Sequence, residues 1–136
     1  MVDQDIWINK VKIIERCLKR IQEEYEGQSD NLLNYTKQDS IILNLQRCCE
    51  AAIDLAMHFC RSKDLGIPQS SRESFDFLVK DGQLSLQIAN NMKSMIGFRN
   101  IAVHDYQRLN IDILETILKE RLSDFQHFVS ELRKGI

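Results

Sequence analysis

One proline and five glycines are all that interrupt these 136 residues. Between those breaks the apolar side chains recur at steps of three and four, which is the period of a helix face. Alternating runs bounded by turn residues, the mark of strands, do not occur. The clearest stripe is Leu114, Ile117, Leu118, Leu122, Phe125, Val129 and Leu132, the core side of a last long helix that Asn110 caps. A first helix over residues 5–26 carries Val11, Ile14, Leu18, Ile21 and Tyr25, and residues 27–31 read as a loop. A second helix, announced by Thr36 with Asp39 three residues on, runs to about residue 63 with Ile41, Leu45, Cys48, Ala52, Leu55 and Phe59 on one face. Gly66 and Pro68 stop it, and Ser70 with Glu73 forms a capping box for a short third helix through Phe75 and Leu78. Asp81-Gly82 closes that one, and a fourth spans residues 85–103. The expectation is an all-α, antiparallel bundle of four long helices plus a short one, a single domain over residues 1–136.

A chain of this length buries enough surface to hold a core unaided. No apolar stretch reaches the ~18 residues that cross a bilayer, and the first residues lack the basic and apolar regions of a signal peptide. The expected setting is the cytoplasm, with no membrane partner. Cys17, Cys48, Cys49 and Cys60 have apolar neighbours and no C-x-x-C spacing, so they read as buried thiols in a reducing compartment and not as zinc ligands. No cofactor is expected. The net charge of −2 has the wrong sign for gripping nucleic acid by bulk electrostatics, so any RNA must be met by a local basic site.

Such a site is offered by the fourth helix. Ile88, Met92, Met95 and Arg99 follow steps of four, three and four, which puts Arg99 about 20° from Ile88 on an apolar face. A guanidinium there must be paired, lie at an interface or meet an anion. Met92 and Met95 beside it are either core or a self-association surface. His104 lies five residues on, about 140° from Arg99 in a continuous helix. Where the helix loosens at Asp105, His104 and Tyr106 would point the same way. Glu50, Asp54 and His58, at i, i+4 and i+8, form a polar strip on the second helix: supporting groups near such a groove, interface contacts, or a solvated face. Asp54 and His58 alone are too few ligands for a metal.

The run Gly97-Phe98-Arg99-Asn100-Ile101-Ala102-Val103-His104-Asp105-Tyr106 resembles the signature of HepT-like members of the HEPN superfamily: arginine, four residues, histidine, one residue, tyrosine. Arg99, His104 and Tyr106 match it position by position, and Asn100 matches the polar residue that often follows the arginine. Glu50-Ala51-Ala52-Ile53-Asp54-Leu55-Ala56-Met57-His58 is similar to the second-helix segment of the same group. The resemblance implies a HEPN-like bundle and a metal-independent RNA endonuclease with Arg99 and His104 as its catalytic pair and Asn100 and Asp105 beside them. It implies a homodimer with a composite cleft. It also implies a partner, an MntA-type nucleotidyltransferase antitoxin that transfers AMP to Tyr106. Two other readings stay open: a non-catalytic HEPN module that binds a nucleotide or scaffolds a nucleotidyltransferase, and a helical interaction protein in which Arg99 is an interface ion pair.

Overall fold

The computed structural model describes residues 1–104 and 110–136, and of residues 99 and 101–104 the backbone alone. Among the described residues the elements are α1 (Gln4–Tyr25), a 3-10 turn (Ser29–Leu33), α2 (Tyr35–Ser62), α3 (Ser71–Lys80), α4 (Leu86–His104), α5 (Ile111–Glu120) and α6 (Ser123–Arg133). The starts of α1, α2, α3 and α5 are closed by side chains, each worth about 1 kcal/mol. Asp3 Oδ1 accepts from the N–H groups of Asp5 and Ile6 at 2.8 and 3.2 Å. Ser70 Oγ accepts from the Glu73 N–H, while Glu73 reaches back to the N–H of Gln69. Asn110 Oδ1 accepts from Asp112 and Ile113. The second helix starts one residue ahead of the expected Thr36, because Asn34 caps it by accepting from the Lys37 N–H. Gly66 follows that helix at φ +121°, where a Cβ would meet the Phe77 ring at 3.1 Å.

The expected last helix is two. Asp124 N–H and Phe125 N–H bond three residues back, to the carbonyls of Arg121 and Leu122, so the chain tightens there and restarts. No proline or glycine marks the spot. Each half has its own partner. In α5, Glu115 accepts from Tyr25 Oη at 3.1 Å and from Ser29 Oγ, while α6 packs on α4. All seven residues of the stripe are buried nonetheless.

Helix α2 is the axis of the bundle, and its cysteines show why. Its expected face from Ile41 to Phe59 is fully buried, and on that side Cys48 Sγ reaches the Ile14 carbonyl of α1 at 3.7 Å. A second buried face, Ile42, Cys49, Ala56 and Cys60, lies about 100° around. From it Cys49 Sγ reaches the Met95 carbonyl of α4 and Cys60 Sγ the Ser74 carbonyl of α3. All four cysteines are buried as thiols. Burial pushes the Cys48 thiol well up and that of Cys60 to about 11, so neither is a nucleophile at neutral pH. Met92 and Met95 are 1% and 3% exposed: they are core, not a self-association surface.

His58 ties the start of the chain to the end of α2. Its Nε2 accepts the Asp3 N–H at 3.0 Å, and the chain's amino group donates to the Ser62 carbonyl. Burial, then the nearby Arg61 charge, pull the His58 pKa below 6.5. The unfolded chain therefore binds this proton more readily than the folded one. The contribution of His58 is fully present above about pH 6.5 and is lost as the pH falls below it. Urea midpoints measured at pH 7.5 and 5.5 should drop at the lower pH, and the drop should shrink in His58→Gln.

Candidate active site

Helix α4 carries the signature run to its end. Arg99 stands one turn beyond Met95, and His104 is the last residue over which the helix is described. The side chains of Arg99 and His104, and all of Asp105 and Tyr106, lie outside the described residues. Asn100 is exposed. The backbone is helical from Arg99 through His104, so the two residues are separated by about 140° around its axis and about 7.5 Å along it.

The strip on α2 divides. Glu50 is exposed and next in sequence to Cys49, whose thiol touches α4. Asp54 pairs with Lys10 of α1 at 2.9 Å, and His58 is buried against the start of the chain. The last two therefore bond to the first helix and the residues ahead of it. Among the described residues no three His, Cys, Asp or Glu side chains converge as a metal-binding group, and no helix is long and apolar enough to cross a membrane.

Beside the signature run is a cleft of about 520 Å³ between α4 and α5. Asn91, Met95 and Phe98 form its α4 wall, and Ile113 and Thr116 its α5 wall. Arg121 and Asp124, on either side of the α5–α6 break, complete it. Asn91 Nδ2 donates to Asp124 Oδ1 at 3.2 Å. Asp124 is 5% exposed, and its Oδ2 has no hydrogen-bond partner among the described residues. The α5 wall is fixed from behind by Glu115, whose carboxyl is held below its ordinary range chiefly by the Ser29 hydroxyl and then by Tyr25. Burial, helped by that carboxylate, raises the Tyr25 phenol. Sequence reasoning missed this cleft. The signals were polar residues at the edges of buried stripes, Asn91 between Ile88 and Met95 and Asp124 beside Phe125.

A family model described as ribonuclease HepT-like matches residues 14–132. The chain is 50% identical over 129 residues to the mRNA nuclease HepT of Shewanella oneidensis, covering 95% of this chain and 97% of that one. Among solved structures, a tri-AMPylated Shewanella oneidensis HEPN toxin in complex with an MNT antitoxin superposes with a TM-score of 0.90 at 50% identity, over 96% of this chain and 98% of that one. A toxin–antitoxin crystal structure with AMP-PNP gives the same score and identity over 94% and 98%. YutE of Bacillus subtilis, 17% identical with a TM-score of 0.83 over 98% and 90%, shares the fold.

Proposed function

The chain belongs to the HepT-like ribonuclease family, and from that premise we propose that it is the toxin of a toxin–antitoxin pair, an RNA endonuclease needing no metal. What carries the reading is its 50% identity to an mRNA nuclease over nearly the whole length of both chains. RNA brings its own nucleophile, the ribose 2′-hydroxyl. A base removes its proton as the oxygen attacks the adjacent phosphorus, and an acid protonates the departing 5′-oxygen. The products carry a 2′,3′-cyclic phosphate and a 5′-hydroxyl. An imidazole suits either proton transfer at neutral pH, and His104 is the histidine of the motif. Arg99 suits the charge growing on the phosphorane, which two N–H donors of one guanidinium can clasp. Asn100 and Asp105, next to them in sequence, and Glu50 of α2 are assigned the supporting role.

One histidine does not easily serve as base and acid at once, so the working unit is a two-fold dimer whose motifs face each other. With Met92 and Met95 in the core, the dimer rests on the end of α4 and not on its apolar stripe. Light scattering at micromolar concentration should give twice the 15.9 kDa chain mass. The test of function is single-stranded RNA incubated with the protein in EDTA. Cleavage should persist, with cyclic phosphate on the 5′ fragment. A requirement for magnesium, or 3′-hydroxyl products, overturns the mechanism.

The partner that fits is a nucleotidyltransferase antitoxin, as in the complex of the tri-AMPylated relative. Tyr106 is the acceptor: its phenol oxygen attacks the α-phosphorus of ATP and pyrophosphate leaves. Of the other tyrosines, Tyr25 is 3% exposed with its hydroxyl on Glu115, whereas Tyr35 is 79% exposed. Each AMP adds a phosphodiester anion and a base two residues from His104, competing with RNA for the space and for the guanidinium.

A further inference from the structure

We infer that single-stranded RNA runs along the exposed face of α4 to the cleavage motif, that Arg72 of α3 clasps one of its phosphates, and that Gly97 is where its backbone comes closest to the helix. This path rests on the ribonuclease reading and names what that reading leaves open. Three observations carry it. The first is charge. The chain has 20 Asp and Glu against 18 Lys and Arg, and α1, α2, α3, α5 and α6 each include carboxylates. Helix α4 has none in its 19 residues, yet it includes Lys93, Arg99 and His104. On a protein of net negative charge, a polyanion lying along this helix meets no like charge from the helix itself.

The second is which face is free. Gly97 and His104 are seven residues apart, so they lie within about 20° of each other around the axis and about 10 Å along it. Asn90, Lys93 and Asn100 fall within about 40° of the His104 position. Asn90 and Asn100 are exposed. Amides and cations of this kind make the phosphate and sugar contacts of nucleic-acid complexes. The strip offers no aromatic or aliphatic anchor of the sort found at the centre of a protein interface, which favours an RNA strand over a second copy of the chain.

The third is the pair Arg72 and Gly97. Arg72 is exposed, and its Nη1 donates to the Lys93 carbonyl at 3.2 Å. Its guanidinium therefore lies on α4 one turn before Gly97, with further N–H groups to give. The neighbouring carboxylates of α3 are engaged elsewhere: Asp76 with Lys93, and Glu73 with the Gln69 N–H. Two N–H donors of one guanidinium match two oxygens of a phosphate. Gly97 is costly where it stands, because glycine inside a helix is less stable than alanine. A Cβ there would meet no described atom within 4 Å, so packing within the chain does not ask for a glycine. A strand pressed against the helix backbone does. From Lys93 to His104 is about 16 Å of helix, so a phosphate at Arg72 and a bond cut at the motif are the two ends of one short stretch of extended strand.

The test measures kcat and KM of the full chain on a single-stranded RNA 12-mer at several salt concentrations. Arg72→Ala should raise KM about tenfold, the scale of a lost charged hydrogen bond, and leave kcat within about twofold. The slope of log kcat/KM against log salt should flatten by about 0.7, the share of one phosphate on a single strand. Arg72→Lys should recover the slope and only part of the affinity. Gly97→Gln should raise KM by a similar factor while melting no lower than wild type, because its side chain enters open space and favours the helix. Wild-type KM and salt slope in both Arg72→Ala and Gly97→Gln overturn the inference and leave the nuclease intact. So does a halved mass in light scattering together with a fallen kcat, because the face is then a contact between two copies. An unchanged KM with weakened binding of the antitoxin also overturns it, because the face then meets a protein. If wild type cuts no RNA, the ribonuclease reading has failed and the path with it.

Discussion

His104→Ala should lower RNA cleavage by about 10²–10⁴-fold, the usual contribution of a positioned acid or base, and Arg99→Ala should lower it by a comparable factor through loss of phosphorane stabilisation. The two substitutions together should cost less than the product of their separate losses, because they serve one transition state. Both proteins should keep the helical circular dichroism and thermal midpoint of wild type within a few degrees. Arg99→Lys distinguishes the role of the arginine: a lysine keeps the charge but loses the planar pair of donors, so most of the loss should remain. The pH–rate profile of wild type should show an ionisation in the histidine range that His104→Ala removes. Activity that survives both alanine substitutions would move the chemistry elsewhere on the chain.

Tyr106→Phe should be as toxic as wild type in a growing cell and immune to the antitoxin's catalysis. With the nucleotidyltransferase and ATP, wild type should gain the mass of one adenylyl group for each AMP on the peptide that contains Tyr106. Its cleavage should fall to background, while the phenylalanine protein should gain nothing and keep cutting. Adding a catalytically dead antitoxin separates modification from simple binding: if it silences both proteins equally, the switch is occlusion and not transfer. AMP found on the exposed Tyr35 would place the switch on the first turn of α2.

Most of the bundle was legible because burial and helix period are written in the same residues. Ile14, Ile21, Leu45, Phe59, Leu78 and Phe125 are all 0–1% exposed, as their spacing requires. The capping box at Ser70 and the cap at Asn110 were legible too, since a short polar side chain that accepts from the next turn has few other uses there. The break at Arg121–Leu122 was not, because it comes from two halves of one stripe leaning on different neighbours and no residue type encodes it. Nor was the second face of α2, where Ala56 and Cys60 look unremarkable until α3 and α4 are set against them. The signature was read from the order Arg99, His104, Tyr106, which spacing alone would not have assigned. The cleft depends on the relative placement of α4, α5 and the start of α6, and a stripe on one helix carries no information about the distance to the next.

The buried cysteines give the protein a built-in record of how it comes apart. Cys48 faces α1, Cys49 faces α4 and Cys60 faces α3, so each thiol is shielded by a different neighbour of the same central helix. An alkylating reagent reaches a thiol only when its cover lifts, and when closing outpaces labelling the rate reports the free energy of that opening. The order in which the three positions acquire mass therefore ranks the joints of the bundle. The Cys49 joint, shared with the helix that bears Arg99 and His104, tells whether RNA or a partner holds that helix in place.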